Sequence, residues 1–399
     1  MYLLKRLLRT FIRVGTLTLV DADGRTHVFG ATPGPAMQIR LQDKGLHTKL
    51  ALNPELYAAE AHMDGTLTFE AGATAYDLLL LFSVNRRSLG AAPSQKLLRR
   101  VWMTLRRRQQ RNSVAAAASN ARSHYDVPVE VYRLFLDDGL NYSCASFHDP
   151  EHDTLEAAQL AKLTRATAKL GLRPGMTVAE IGSGWGSFAV QIAKSTGASV
   201  VAINVSPEQL KISRELAERE GVSELVEFRE LDYRDLVGKF DRVVSVGMME
   251  HVGIGHFGAY FRKIRELLAD DGYAYVHSIG RMAPPSTTGP FIRKYIFTGG
   301  YVPSLFAATE RTGLWVADME VPRLHHYHTI RRWRTRFAAH RETAAALMDE
   351  RFCRTWEFYL AAVELGFLHG SNMVFQLLLS PQRDAVAIVR DFMVPARNV

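Results

Sequence analysis

Residues 178–190 read VAEIGSGWGSFAV, and Gly182, Gly184 and Gly186 fall where an apolar strand ends and a helix begins. Glycine adopts backbone conformations closed to other residues and lets a ligand approach the main chain, while the first turn of a helix offers unpaired N–H groups. The E-x-G-x-G-x-G spacing that starts at Glu180 differs from the G-x-G-x-x-G of dinucleotide binders. It therefore suits a ligand without a pyrophosphate and argues against NAD. Other residues of reactive type are scattered: Cys144, the pair Glu250–His251 beyond one strand, and His277 inside another. Taken singly they have bland readings as a buried small hydrophobe, a helix start and a satisfied core histidine.

The elements that must position these residues alternate from about residue 151. Helix 155–171 precedes strand 177–182, followed by helix 187–196, strand 199–205, helix 207–220 and strands 225–231 and 240–247. Further strands are expected at 273–279 and 374–380, with 387–393 able to close an edge. Helices of this length between strands imply a parallel sheet covered on both faces, with ligands beyond the carboxyl ends of the strands. The expected fold class is α/β: a doubly wound, mostly parallel sheet with a smaller N-terminal α+β domain. In that domain, strands at 16–20 and 26–30 flank Asp21-Ala22-Asp23-Gly24, a hairpin signal, and strands at 37–41 and 66–70 accompany helices at 54–63 and 74–84. The expected domains are 1–110, a linker at 111–123, and 124–399.

The chain has 399 residues and a net charge of +8, with ordinary hydrophobic content. Residues 1–123 carry 18 Lys and Arg against 8 Asp and Glu, whereas the remainder carries 31 against 33. The excess is densest in 1–15 and 96–111, where leucines and aromatics recur at helical spacing between arginines. Such helices suit an anionic membrane surface or bury their apolar face and solvate the arginines. No nucleic-acid motif accompanies them, so nucleic acid is not an expected partner. No apolar run is long enough to span a bilayer, and the N-terminus lacks the pattern of a secretory signal. Two distant cysteines, Cys144 and Cys353, form neither a disulfide framework nor a zinc pattern. No metal is expected, Cys353 reads as structural, and the default setting is cytoplasmic.

The glycine turn resembles that of class I S-adenosylmethionine-dependent methyltransferases. Beyond it, 142-YSCASF-147, 245-SVGMMEHVG-253, 277-HSIG-280 and 294-KYIFTGGYVPS-304 resemble, in order, the signature segments of cyclopropane-fatty-acyl-phospholipid synthases and the related mycolic acid cyclopropane synthases. The likeness runs from about 124 to the C-terminus. It implies that Glu180, Gly182, Gly184, Trp185 and Gly186, with Tyr142 and Ser143, contact the cofactor. Asn204, Ser206 and Gln209 at the second strand end are the candidate polar partners of its ribose. Asp232 is placed to accept from the adenine amine and Tyr233 to pack on the ring.

The reaction so implied is methyl transfer to a cis double bond of a phospholipid acyl chain, then loss of a proton and ring closure. In this family the base is a bicarbonate ion, and the counterparts of its holders are Cys144, Glu250, His277, the Ile279 N–H and Tyr327. The expected setting is cytoplasmic and peripheral on the inner face of the membrane, from the cysteine usage, the basic helices and the lack of a spanning run, with a homodimer as an expected partner state. A lipid C-methyltransferase without ring closure is the neighbouring reading. A non-catalytic lipid-binding protein is the rival class, against which the intact turn and the intact Cys144, Glu250, His277 and Tyr327 argue. Two positions depart from the pattern: 124-HYDVPVEVY-132 lacks a glycine–asparagine pair, and Thr298 stands where a proline is usual.

Overall fold

The computed structural model describes every residue except 31, 92–126, 285, 298–300, 306–308, 311 and 394–399. The basic helix expected at 96–111, the linker, residues 124–126 and Thr298 therefore lie outside the described residues. The chain divides into two compact units: 1–108 with 287–298 and 330–371, and 109–286 with 299–329 and 372–399. The sequence reading runs 124–399 as one domain, whereas two of its segments group with the N-terminal residues.

In the first unit, strands β1 (Thr16–Val20), β2 (Thr26–Phe29), β3 (Ala36–Leu41) and β4 (Leu67–Glu70) form a sheet in the order β2-β1-β3-β4. The hairpin forms as expected: Asp21 accepts from the Asp23 and Arg25 N–H groups, and Gly24 takes a φ of 79°. Helix Tyr2–Phe11 buries Leu4, Leu8 and Phe11 in the core of this unit. Each such side chain contributes about 1.5–3 kcal/mol. The apolar face of the first basic helix is thus spent internally, which leaves Tyr2, Leu3, Arg6 and Arg9 outside. Helix Glu350–Leu368 packs on helices Pro54–Met63 and Ala75–Val84, which is why its segment belongs here. Arg351 pairs with Asp64 and Lys294 with Glu60 across the same unit.

The second unit is built on β5 (Thr177–Ile181), β6 (Ser199–Asn204), β7 (Val226–Glu230), β8 (Phe240–Val246) and β9 (Leu268–Arg281). The two-residue strands β10 (Ser286–Thr287) and β11 (Tyr301–Val302) precede β12 (Trp315–Glu320) and β13 (Asn372–Ser380). The sheet runs β12-β13-β9-β8-β5-β6-β7. β7, β6, β5, β8 and β9 are parallel neighbours, and β13 is antiparallel to both β9 and β12. This is the doubly wound, mostly parallel sheet expected from the sequence. The order reverses between β5 and β8, so a crevice opens at their carboxyl ends.

The edge differs from expectation. Residues 387–393 form no strand; Ile388 and Val389 are solvent-exposed, and Arg390–Met393 is a short 3-10 turn. The edge is instead β12, whose residues are all exposed or half-exposed and carry little of the apolar signal of a buried strand.

Candidate functional site

The glycine turn leaves β5 with Gly182, Gly184 and Gly186 at φ 83°, 54° and 86°, all in the left-handed region that favours glycine. The Gly182 and Ser183 N–H groups both donate to the Ile203 carbonyl at 3.0 Å, which fixes the turn to β6. The glycines serve different ends. A Cβ on Gly186 would lie 2.8–2.9 Å from Ser213 and Phe228, so that glycine permits close packing. A Cβ on Gly184 would meet nothing within 4 Å, so its missing side chain keeps space open.

Asn204 and Gln209 hold this turn. The Asn204 amide donates to the Gly184 carbonyl at 3.0 Å and to Gln209 Oε1 at 2.8 Å, while its oxygen accepts from the Val205 and Ser206 N–H groups. Ser206 caps helix Pro207–Arg219 by accepting from the Gln209 N–H. Glu180 Oε2, Ser183 Oγ and Gln209 Nε2 are buried around the turn without a hydrogen-bond partner. Buried orphans of both polarities beside the open space at Gly184 fit a small ligand that carries donors and acceptors, as an amino-acid end does.

A buried polar network, which the sequence reading missed, braces the turn. Lys162 donates to Asn141 Oδ1 at 2.9 Å and to Ser143 Oγ at 3.1 Å. Asn141 also binds Asp137 and Ser187, and Gln159 donates to the Asn141 and Ser143 carbonyls. Burial pushes the Glu180 carboxyl up and the Lys162 ammonium down, each moderated by the other's charge. The signal was present: Gln159 and Lys162 fall on the buried stripe of helix Leu155–Lys169, where apolar residues are expected. Tyr142 and Trp185 both pack on Tyr132, with ring centroids 5.6 and 4.9 Å away.

At the end of β7, Asp232 caps a short turn and pairs with Arg234 through two 2.7 Å bonds. Burial alone would raise its carboxyl; the arginine overcomes this and holds it low. The Tyr233 ring goes into the core against Tyr260, at 5.6 Å, rather than standing open at the strand end.

The second constellation lies beyond β8. Gly247, at φ 69°, turns the chain and donates to the His277 carbonyl at 2.9 Å, and helix Met249–Val252 then presents Glu250. The Ile279 N–H of β9 donates to Glu250 Oε1, so two of the expected residues meet directly. Glu250 Oε2 is buried without a partner. Burial pushes this carboxyl up to about 7, opposed by the Ile279 N–H. Burial also holds His277 well below its usual value and brings neighbouring His251 down to about 4. Cys144 is buried and its thiol is pushed up to about 12, so it packs as a neutral thiol.

Tyr327 sits in the first turn of helix His325–Ala339, half-buried. The Ala145 N–H donates to Thr329 and the Phe147 N–H to His325, so the Cys144 segment is laced to the Tyr327 turn. Among the described residues, no hydrogen bond joins Tyr327 to Glu250, His277 or Cys144.

Over residues 112–377 the sequence matches the family described as mycolic acid cyclopropane synthetase. It is 33% identical over 391 residues to tuberculostearic acid methyltransferase UfaA1 of Mycobacterium tuberculosis, covering 94% of this chain and 90% of that one. It is 36% identical over 261 residues to the cyclopropane-fatty-acyl-phospholipid synthase of Escherichia coli, covering 65% of this chain and 67% of the relative. The solved structure of mycolic acid cyclopropane synthase CmaA1 complexed with SAH and CTAB superposes with a TM-score of 0.62 at 29% identity, over 66% of this chain and 97% of that one. Sheet order, turn and sequence thus agree, and the chain belongs to the mycolic acid cyclopropane synthetase family of S-adenosylmethionine-dependent methyltransferases.

Proposed function

We propose that this enzyme methylates a cis double bond in an unsaturated phospholipid acyl chain and closes a cyclopropane ring. The observation that carries the reading is Glu250: a carboxylate with one buried, unpartnered oxygen, on the short helix that follows β8, the strand paired with the one leading into the glycine turn. S-adenosylmethionine, bound at the turn, supplies an electrophilic methyl group. Glu180, Ser183, Gly184 and Gln209 would hold it, with Tyr142, Ser143 and Trp185 alongside. Asp232 would have to share its carboxylate between Arg234 and the adenine amine.

Methyl transfer leaves a carbocation on the second alkene carbon, and loss of a proton from the new methyl group closes the ring. The chain must then exclude water and keep a base in place. Glu250 at about 7 is matched to that task near neutrality. Bicarbonate fits the same place as the proton acceptor. Glu250 Oε2 can accept its O–H, and His277 and Tyr327 can donate to it. The Ile279 N–H is engaged by Glu250 and joins only if that bond is given up. Degassing separates the two bases: a rate that falls without carbon dioxide supports bicarbonate, and an undiminished rate makes Glu250 the acceptor.

A second reading, methylation without ring closure, is favoured by the near-full-length likeness to a tuberculostearic acid methyltransferase. Mass spectrometry of lipids from cells with and without the protein tests both readings. Gain of one CH2 is expected in either case, and a product that resists hydrogenation at the former double bond is the ring. No gain of CH2 would overturn the proposal.

A phospholipid substrate also requires contact with a membrane surface. Among the described residues no helix is long and apolar enough to cross a membrane. Exposed Tyr2 and Leu3 beside Arg6 and Arg9 suit peripheral contact with anionic lipid at the inner face. Vesicle co-sedimentation that is indifferent to salt and to charge would count against it.

A further inference from the structure

Across three strands of the large sheet, Glu320, Gln376 and His277 occupy one rung: Glu320 of β12 faces Gln376 of β13, which faces His277 of β9. Opposed residues on adjacent strands share a face. Lys169, the last residue of helix Leu155–Lys169, lies over that face. Its ammonium donates to Glu320 Oε2 and to Gln376 Oε1, both at 2.5 Å. Arg165, one turn earlier, donates to the other Glu320 oxygen at 2.9 Å.

These bonds have a polarity. An ammonium has only protons to give, so Lys169 selects the oxygen of the Gln376 amide and turns its NH2 the other way. That NH2 lies 3.3 Å from His277 Nδ1. The Tyr275 hydroxyl stands 3.5 Å from the same nitrogen, and burial keeps that phenol protonated. Nδ1 therefore faces donors. A neutral imidazole that accepts at Nδ1 carries its proton on Nε2.

We infer that Gln376, oriented by Lys169 and Glu320, is the positioning residue that fixes His277 as the Nε2–H tautomer and so makes its far nitrogen a hydrogen-bond donor to an anion. The inference rests on the reading of His277 as a holder of the proton acceptor. Without this rung a buried neutral histidine could present a lone pair instead, and a lone pair repels an anion.

Replacing Gln376 with glutamate tests the polarity with almost no change of shape. A carboxylate accepts, so in Gln376→Glu the His277 ring must carry its proton on Nδ1 or become cationic. Nitrogen NMR of ring-15N-histidine protein, with His277 identified by its loss in His277→Asn, reads this directly. In the wild type the expected Nδ1 signal is that of an unprotonated ring nitrogen, and in the variant it moves to the protonated range. The kcat should fall on the order of 10- to 100-fold, the usual cost of losing a group that orients an imidazole, with the KM for S-adenosylmethionine kept. Should the glutamate variant not fold, Lys169→Met frees the amide to rotate and should give a mixture of tautomers. A wild-type Nδ1–H signal, or shifts unchanged in both variants, would overturn the inference. If the shifts move while turnover holds, the tautomer assignment stands and the role of His277 in the reaction falls.

Discussion

Glu180 on β5 and Glu250 just beyond β8 lie at neighbouring strand ends, the first a buried residue and the second half-buried with one oxygen enclosed, and both are pushed up by burial, yet their surroundings differ. Glu180 shares its region with the Lys162 ammonium and a bonded network that ties Asp137, Asn141, Ser143 and Ser187 together. The groups that favour the charged form of Glu250 are neutral: the Ile279 N–H, its own N–H and the nearby Ser278 hydroxyl, which itself donates to the Ile279 carbonyl. Both carboxyls are raised toward neutrality, to about 8 and about 7, and the surroundings separate them: a proton leaving Glu180 is felt by a cation set in a bonded network, whereas one leaving Glu250 meets neutral dipoles.

The largest test of that contrast is Glu250→Gln. Turnover should fall by about 10²- to 10⁴-fold, the worth of a positioned acid or base. S-adenosylmethionine affinity, measured by calorimetry, should stay as in the wild type. A turnover reduced less than about threefold would erase the distinction between the two carboxylates.

Lys162→Met should act on the scaffold. It removes the charge that faces Asp137 and Glu180 and takes the ammonium donor from Asn141 Oδ1 and Ser143 Oγ, at a cost of about 1–3 kcal/mol in stability. Chemical denaturation measures the loss. Equal effects on stability from Lys162→Met and Glu250→Gln would show that the regions do not differ as described.

The glycines sharpen the comparison within the turn itself. Gly184→Val places its side chain in open space at φ 54°, so the fold should persist at a backbone cost of about 1–2 kcal/mol while cofactor affinity drops steeply. Gly186→Val drives against Ser213 and Phe228 and should lower the melting temperature instead. Wild-type affinity in folded Gly184→Val would remove the cofactor from this turn.

The smallest expected effect is on pH dependence. A carboxyl raised in the fold remains protonated where the unfolded chain is ionised. The native state therefore binds more protons between the ordinary Glu250 value of 4.5 and its folded value of about 7. Stability contributed by that proton is present below this window and is lost as pH rises through it. His251 and His277, held below their ordinary value, give the opposite slope, so the readout is the difference between proteins: from about pH 5 to 7 the melting temperature of Glu250→Gln should rise relative to that of the wild type. An identical slope in the variant would place the titration elsewhere.

The sequence by itself determined the strand–helix rhythm of the large sheet and the glycine turn after β5. These depend on local periodicity and on glycine chemistry, both of which are written along the chain. Only the tertiary structure decided the sheet edge, where the half-exposed Trp315–Glu320 took the place expected for 387–393. It also assigned helix Glu350–Leu368 to the unit of the N-terminal residues, because an apolar helix face does not name the surface that will cover it. Asp232 turned to Arg234, and Asn204 and Gln209 turned inward to the Gly184 carbonyl, because short polar side chains take the nearest partner the fold offers. The rung from Glu320 through Gln376 to His277 joins residues of three separate segments. Pairing register between distant strands is set by packing across the whole sheet, so no stretch of sequence could announce it.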